Sequence, residues 1–146
     1  MGLFTRLTRV GLLLDGFQHR VLDAFGLRFI DFSVLRVLQL SGLPYRASAG
    51  ELSEIVLRSS GGMTQILDRL EQLGYVQRVT DATDRRKVLA ELTDEGLDTA
   101  QRASAAYARE RRRILKSLST AEVDKVDAAV RLLLGVLTDA DPEAHT

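Results

Sequence analysis

The chain has 146 residues, of which 45% are hydrophobic, so it is long enough for a single domain with a substantial core. Its 20 basic residues balance 20 acidic residues, which excludes the strongly basic composition of a protein that binds nucleic acid through overall charge. The absence of cysteine excludes disulfides, thiolate metal sites and cysteine-based redox switches.

The first apolar run, residues 10–14, does not predict a membrane span. Asp15 follows it after too few residues to cross a bilayer, and the run lacks a small-residue cleavage pattern. We therefore expect no anchor, signal peptide or membrane partner, and a cytoplasmic location follows by default.

A first helix is predicted to end at Gly26, because apolar residues recur before it at spacings of three and four. The residues of this narrow stripe are Leu3, Leu7, Val10, Leu14, Phe17, Val21 and Phe25. Gly11 and Gly16 each weaken such a helix by about 1 kcal/mol relative to alanine. We therefore expect packing against a partner surface to hold it.

Two shorter helices are predicted next. Apolar spacing predicts a helix over residues 30–40, which ends before Gly42 and Pro44. Ser48 and Glu51 have the spacing of a capping box, in which each side chain binds a backbone N–H at the start of a helix. The buried side of this third helix is predicted to be Leu52, Ile55 and Val56.

A fourth helix is predicted to follow after only a short turn, residues 59–62, which is the connection length of a helix-turn-helix. It runs to about Leu73, with Gly74 as its C-terminal cap. Its apolar side is Met63, Ile66, Leu67 and Leu70, and its outward residues are Thr64, Gln65, Asp68, Arg69 and Gln72.

Residues 75–80 and 87–92 alternate in polarity and predict an antiparallel hairpin, or wing, with a charged tip at residues 81–87. Thr93 is predicted to cap a long helix that runs to about Leu118. A second capping box, Ser119 with Glu122, begins a final helix.

The predicted fold is mainly α with a small β-wing: a winged helix-turn-helix with N- and C-terminal dimerisation helices, in a single domain spanning 1–146. The winged core covers about residues 30–93. Residues 1–26 and 94–138 form the dimerisation helices, and 139–146 form a flexible tail. Because the flanking helices carry apolar stripes outside the core, we expect a homodimer.

At the start of the fourth helix, small side chains allow DNA to approach closely, and the free N–H groups of the helix N-terminus suit a phosphate. Gln65 can bind an adenine edge in bidentate fashion. A basic wing tip beside it can reach phosphates or a minor groove. The candidate DNA-binding residues are Arg58, Ser59, Ser60, Gly61, Gly62, Thr64, Gln65 and Arg69 near the helix, and Asp84, Arg85, Arg86 and Lys87 on the wing.

Two segments resemble the MarR family of bacterial transcriptional regulators. Residues 68–78 are similar to the end of the family's recognition helix, and residues 84–96 resemble its wing signature, Asp-x-Arg followed by Leu-Thr and Gly. The resemblance implies that Arg86 approaches the minor groove or its phosphates while Asp84 holds the guanidinium. Gln65 stands where many members have arginine, so the family's base preference is not carried over.

The resemblance implies a homodimeric repressor that binds double-stranded DNA at a pseudo-palindromic operator and responds to a small molecule. It also implies that phenylalanines of the first two helices, with nearby polar residues, form a crevice for an anionic aromatic effector. The candidate effector-binding residues are Phe17, Arg20, Phe29, Phe32 and Arg36, with Phe25 and His19 nearby. The alternative is that these phenylalanines fill the core.

Other functions have less support. The sequence contains neither a nucleophile motif nor a phosphate-binding loop, so we expect neither an enzyme nor a cofactor. His19, with Asp15 and Asp23, has a spacing that could hold an ion but is more typical of a surface cluster, so we expect no metal. The remaining alternative is a winged-helix protein-interaction module without DNA binding, which the zero net charge favours.

A basic run on the long helix has two interpretations. Its members are Arg109, Arg111, Arg112, Arg113 and Lys116. They form a solvated face or pair with acidic groups across a dimer, or else they contact phosphate.

Overall fold

The computed structural model describes residues 2–56 and 60–140. The chain divides between Tyr107 and Ala108 into two compact units. The helices are α1 (Leu3–Leu22), α2 (Phe29–Leu40), α3 (Ala49–Val56), α4 (Ser60–Gln72), α5 (Asp94–Leu115) and α6 (Thr120–Ala140), with a 3₁₀ turn at Asp23–Phe25, and the strands are β1 (Arg46–Ser48), β2 (Val76–Thr80) and β3 (Val88–Leu92). This order confirms a mainly helical fold with a small β-wing.

The first unit is built around large aliphatic side chains from α1 to α4. Those without solvent exposure include Leu22, Leu35, Leu38, Leu52, Met63 and Leu70. Each such side chain contributes about 1.5–3 kcal/mol by leaving water. This core fixes α4 against α2 and α3 and leaves the opposite side of α4 exposed.

The C-terminal half of α1 contributes to this core, whereas its N-terminal half does not. Phe17 and Val21 are buried, and α1 ends at Leu22, before the predicted end at Gly26, whose φ of 65° ends the 3₁₀ turn that follows. Leu3, Val10 and Leu14 of the predicted stripe are 53%, 52% and 51% exposed. The predicted apolar stripe therefore remains only partly covered within one chain.

The sheet has three antiparallel strands in the order β1-β3-β2. In the wing hairpin Val76 lies opposite Leu92 and Thr80 lies opposite Val88, which confirms the two predicted strands. Strand β1 is not predicted by the sequence, because three residues are too few to show alternation. Arg46 on β1 donates to Glu91 on β3 over 2.7 Å.

Asp31 is a buried charge at the start of α2, with no solvent exposure. It accepts hydrogen bonds from the backbone N–H, Nε and Nη2 of Arg28, over 2.8–2.9 Å, and from Nε of Arg69 over 3.1 Å. Burial acts to raise the pKa of Asp31, but the bonds from Arg28 and Arg69 outweigh it and lower the pKa. The carboxylate therefore joins α2 to α4 as an anion.

Gly96 packs directly on the backbone at the base of the wing. A Cβ at this position would lie 1.9 Å from the carbonyl oxygen of Tyr75, which already accepts a hydrogen bond from the Thr93 N–H over 3.1 Å. The Thr93 hydroxyl donates to the Gly74 carbonyl and accepts from the Gly96 N–H, as expected of a helix cap. Only glycine fits this contact between α5 and the wing.

Several predicted boundaries need correction. Helix α4 begins at Ser60, so Gly61 and Gly62 lie in its first turn and not in the connection before it. Helix α5 ends at Leu115, three residues before the predicted end. Helix α6 continues to Ala140, so residues 139–140 are helical and not part of the predicted tail; residues 141–146 lie outside the described residues.

The second unit begins within α5 and contains α6. Ser119 and Glu122 form the predicted capping box, with the Ser119 N–H donating to Glu122 over 2.8 Å. Apolar residues of α6 remain exposed, including Leu132 at 73% and Leu134 at 58%. Among the described residues of both units, no helix is long and apolar enough to cross a membrane.

We predict that Asp31→Asn lowers the free energy of unfolding near neutral pH by about 1.5–3 kcal/mol, because the charge-assisted bonds from Arg28 and Arg69 are lost. The folded-state pKa of Asp31 is lowered, so its contribution is complete above the unfolded-state pKa of about 3.9 and is lost as pH falls through the folded-state value. Urea unfolding at one protein concentration should show that the free energies of unfolding of wild type and Asp31→Asn converge as the pH falls into the acid range.

The matched control is Asp98→Asn, which removes an exposed carboxylate paired with Arg102. We expect this change to alter stability by no more than about 0.5 kcal/mol. A gap between wild type and Asp31→Asn that stays constant down to the acid limit would contradict the proposed ionic role of Asp31.

We predict that Gly96→Ala destabilises the fold by about 1–3 kcal/mol or more, because the added methyl group overlaps backbone atoms of Tyr75. Gly61→Ala is the control, since a Cβ there meets no heavy atom within 4 Å. It should stabilise the protein by about 0.4–1 kcal/mol. Equal unfolding midpoints for the two variants would exclude the packing explanation.

Candidate nucleic-acid interface

The N-terminal half of α4 presents small and polar residues on its exposed side. Gly61, Thr64, Gln65 and Asp68 are exposed and follow one another at helical spacing, and we call them the reading face. Open space surrounds Gly61. A helix face of this kind can enter a major groove, where a Gln side chain can bind an adenine edge.

Asp81 organises the wing tip. One of its carboxylate oxygens accepts hydrogen bonds from the N–H and the hydroxyl of Thr83, over 2.7 and 2.6 Å, and from the N–H of Asp84 over 3.1 Å. These bonds lower the pKa of Asp81, with the Thr83 hydroxyl as the largest cause. The Asp81 N–H also donates to the Lys87 carbonyl over 3.0 Å and closes the turn.

The basic side chains of the tip lie in solvent. Arg85, Arg86 and Lys87 are exposed, and the Arg86 side chain is 95% exposed. Asp84 accepts a 3.0 Å hydrogen bond from the backbone N–H of Arg86, while its distance to Arg86 Nε is 3.7 Å. Asp84 therefore lies within ion-pair distance of the Arg86 guanidinium, as the resemblance implies, and it also fixes the backbone at Arg86, while the guanidinium remains exposed.

Arg69 does not point outward as the sequence predicts. Its Nε donates to Asp31, and its Nη2 donates to the carbonyl of Gly26 over 3.1 Å. Because buried Asp31 attracts the guanidinium toward α2, Arg69 fastens the helix and does not belong to the reading face. The helical spacing alone did not reveal this partner.

The remaining candidates near the start of α4 are only partly placed. Arg58 and Ser59 lie outside the described residues. Ser60 is the first residue of α4, and its side chain is not described. Gly62 lies in the first turn of α4 and is partly exposed.

Arg78 joins the wing to α4. From β2, its Nη2 donates to Asp68 and its Nη1 donates to Glu71, both on α4. The hydrogen bond to Asp68 is the largest cause that raises the pKa of Arg78. The sequence did not predict this bridge, although two carboxylates on the last turns of a helix before a basic strand are a signal for it.

The structure brings the predicted effector residues Phe17, Phe29 and Phe32 together around the ring of Tyr107. Phe17 and Phe32 are buried in the core, where their rings lie 5.1 and 5.4 Å from that of Tyr107. Arg20 is exposed on α1, and Arg36 donates to Gln39 over 2.9 Å. The core interpretation is therefore correct for Phe17 and Phe32.

A cavity of about 550 Å³ lies beside the predicted crevice, and Phe29 is the predicted effector residue that lines it. Its walls are Asp15, Gln18, His19, Leu27, Arg28, Phe29, Ile30, Ser33 and Val56. His19 Nδ1 lies 2.9 Å from the backbone oxygen of Asp15, and this hydrogen bond, followed by the Asp15 charge, raises the pKa of the imidazole. The described residues contain no group of three or more His, Cys, Asp or Glu side chains that could hold a metal ion.

Comparison with known proteins agrees with this geometry. A family model described as MarR family matches residues 25–87. The HTH-type transcriptional regulator PecS of Dickeya dadantii (strain 3937) is 33% identical to the chain over 129 residues, which is 88% of this chain and 75% of that protein.

Solved structures share the fold. A MarR family transcriptional regulator from Streptomyces coelicolor in complex with DNA gives a TM-score of 0.80 at 21% identity, covering 90% of this chain and 82% of that chain. The 2,4-dichlorophenol-bound form of an organohalide-sensing transcriptional regulator gives a TM-score of 0.79 at 20% identity, covering 99% of this chain and 85% of that chain.

Proposed function

The chain belongs to the MarR family of transcriptional regulators, and we propose that it is a homodimeric repressor that binds a pseudo-palindromic DNA site and is controlled by a small anionic aromatic molecule. The observation that carries the proposal is the reading face of α4 beside an ordered wing with exposed basic residues. We propose no catalytic activity and a cytoplasmic location, where bacterial DNA lies.

In this proposal the reading face enters a major groove and Gln65 contacts a base edge. A dimer presents two such helices, so the half-sites should lie about 34 Å apart, one turn of the duplex. Repression follows because a dimer on a promoter excludes polymerase.

The wing would bind DNA beside each half-site. Arg86 extends from a backbone fixed by Asp84 and is exposed, so its guanidinium can enter a narrow minor groove or bind its phosphates. Arg85 and Lys87 would add phosphate contacts, which fix position without reading sequence.

The proposed dimer would cover apolar surface on both ends of the chain. The exposed apolar residues of α1 include Leu3, Phe4, Val10, Leu12, Leu13 and Leu14, and those of α6 include Val126, Val130, Leu132, Leu134, Val136 and Leu137. Such extensive apolar surface is unusual on a soluble monomer. A second copy of the chain would remove it from water through a symmetric interface.

The cavity beside α1 and α2 would hold the effector. Phe29 offers an aromatic surface, and Arg28 offers a guanidinium that can bind an anion. Arg28 also binds Asp31, which binds Arg69 of α4. A ligand at Arg28 would therefore act on the position of α4 and shift the population between DNA-competent and incompetent dimers.

We predict that Arg86→Ala weakens binding to DNA from upstream of the protein's own gene and reduces the slope of log affinity against log salt by about 1, because a phosphate contact is lost. Titration of labelled duplex at several salt concentrations, with nonspecific competitor, measures both quantities. The unfolding midpoint should not change, because Arg86 is exposed.

Arg102→Ala is the matched control, since it also removes one exposed arginine that pairs with an aspartate. It should leave the affinity near that of wild type. A wild type that binds no duplex, whether upstream DNA or a random-sequence library, would favour a protein-interaction module instead. Unchanged binding by Arg86→Ala would contradict the role of the wing arginine.

A further inference from the structure

Arg78 lies between the two elements that are proposed to bind DNA. It belongs to β2, and its side chain is 32% exposed. Its guanidinium binds Asp68 and Glu71, which lie ten and seven residues before it. Two carboxylates of α4 therefore share one cation from the wing. Helix α4 and the wing both belong to the proposed DNA interface.

Asp68 stands on the reading face, one helical turn after Thr64 and three residues after Gln65. Its side chain is 53% exposed, so DNA in contact with Gln65 would lie near a carboxylate. DNA phosphates are negative, and an uncompensated anion at this place would repel them. Glu71 is one turn further from the N-terminus of α4 and is therefore further from the groove.

We propose that Arg78 is a positioning residue for DNA binding: it neutralises Asp68 on the reading face and holds the wing to α4 without itself contacting DNA. This inference rests on the proposed DNA-binding function. The fork geometry of the guanidinium allows Arg78 to bind both carboxylates at once.

If the role of Arg78 were purely structural, its loss would weaken DNA binding only by destabilising the fold. Partly exposed ion pairs contribute little to folding stability, so we expect loss of the bridge alone to leave the fold intact. A direct phosphate contact by Arg78 also makes a different prediction, because removing the Asp68 charge would then have the same effect on affinity whether Arg78 is present or not. The effects of the two residues on DNA binding should instead depend on each other.

The experiment is a double-mutant cycle with Asp68→Asn and Arg78→Ala, using the full chain and a duplex enriched from a random-sequence library by the wild-type protein. We expect Arg78→Ala to bind roughly fivefold to tenfold more weakly. Asp68→Asn should change affinity by less than about twofold in wild type, yet restore most of the affinity in the Arg78→Ala background. The loss should diminish with added salt, because it arises from charge repulsion.

Glu71→Gln in the Arg78→Ala background is the matched control, since it removes the same charge one turn further from the groove. It should restore less affinity than Asp68→Asn does. Arg78→Lys should bind DNA more tightly than Arg78→Ala, because an ammonium retains the charge without the fork. Thermal unfolding of each variant checks that binding changes do not follow a loss of fold.

Additive effects of the two substitutions would overturn the inference and indicate a direct phosphate contact. A large loss for Asp68→Asn alone would also overturn it and indicate that Asp68 reads a base. If wild type enriches no duplex, the proposed function itself fails; if wild type binds and Arg78→Ala binds equally well, the function stands and the role of Arg78 is refuted.

Discussion

The buried carboxylate of Asp31 is the constraint on which the placement of α4 depends. Burying an anion is costly unless it is paired and hydrogen-bonded, so Asp31 requires both Arg28 and Arg69. Apolar packing sets the distance between α2 and α4, but it is not directional and tolerates sliding or rotation of one helix on the other. The bond from Arg69 removes that freedom, because a rotation of α4 would separate the buried Asp31 from one of its two arginine partners.

The wing is held by different means at its base and at its tip. At the base, close packing of Gly96 on Tyr75 and the two bonds of the Thr93 hydroxyl fix the strands to the start of α5. At the tip, Asp81 orders the backbone from within the turn and involves no other element. The consequence is a rigid support for a tip whose basic side chains remain in solvent.

The fold could be predicted largely from sequence because its signals are local. Helical spacing, two capping boxes and the hairpin alternation each depend on residues within a few positions, and the structure contains these elements within a few residues of the predicted bounds. The contacts that were missed join distant residues: Arg69 with Asp31, Arg78 with Asp68, and Phe32 with Tyr107. Whether an arginine faces solvent or a buried carboxylate depends on the packing of another helix, which periodicity does not contain.

Zero net charge, the one feature that favoured a module without DNA binding, is a weaker argument once the partners of the acidic residues near α4 and the wing are known. Near α4 and the wing, Asp68 and Glu71 are occupied by Arg78, and Asp81 and Asp84 bind backbone N–H groups of the tip. The basic side chains of residues 85–87 are instead exposed. A phosphate responds to charges within about one Debye length, roughly 10 Å, and not to the sum over the chain. A neutral protein can therefore present a basic surface where its acidic groups already have partners and its basic side chains remain exposed.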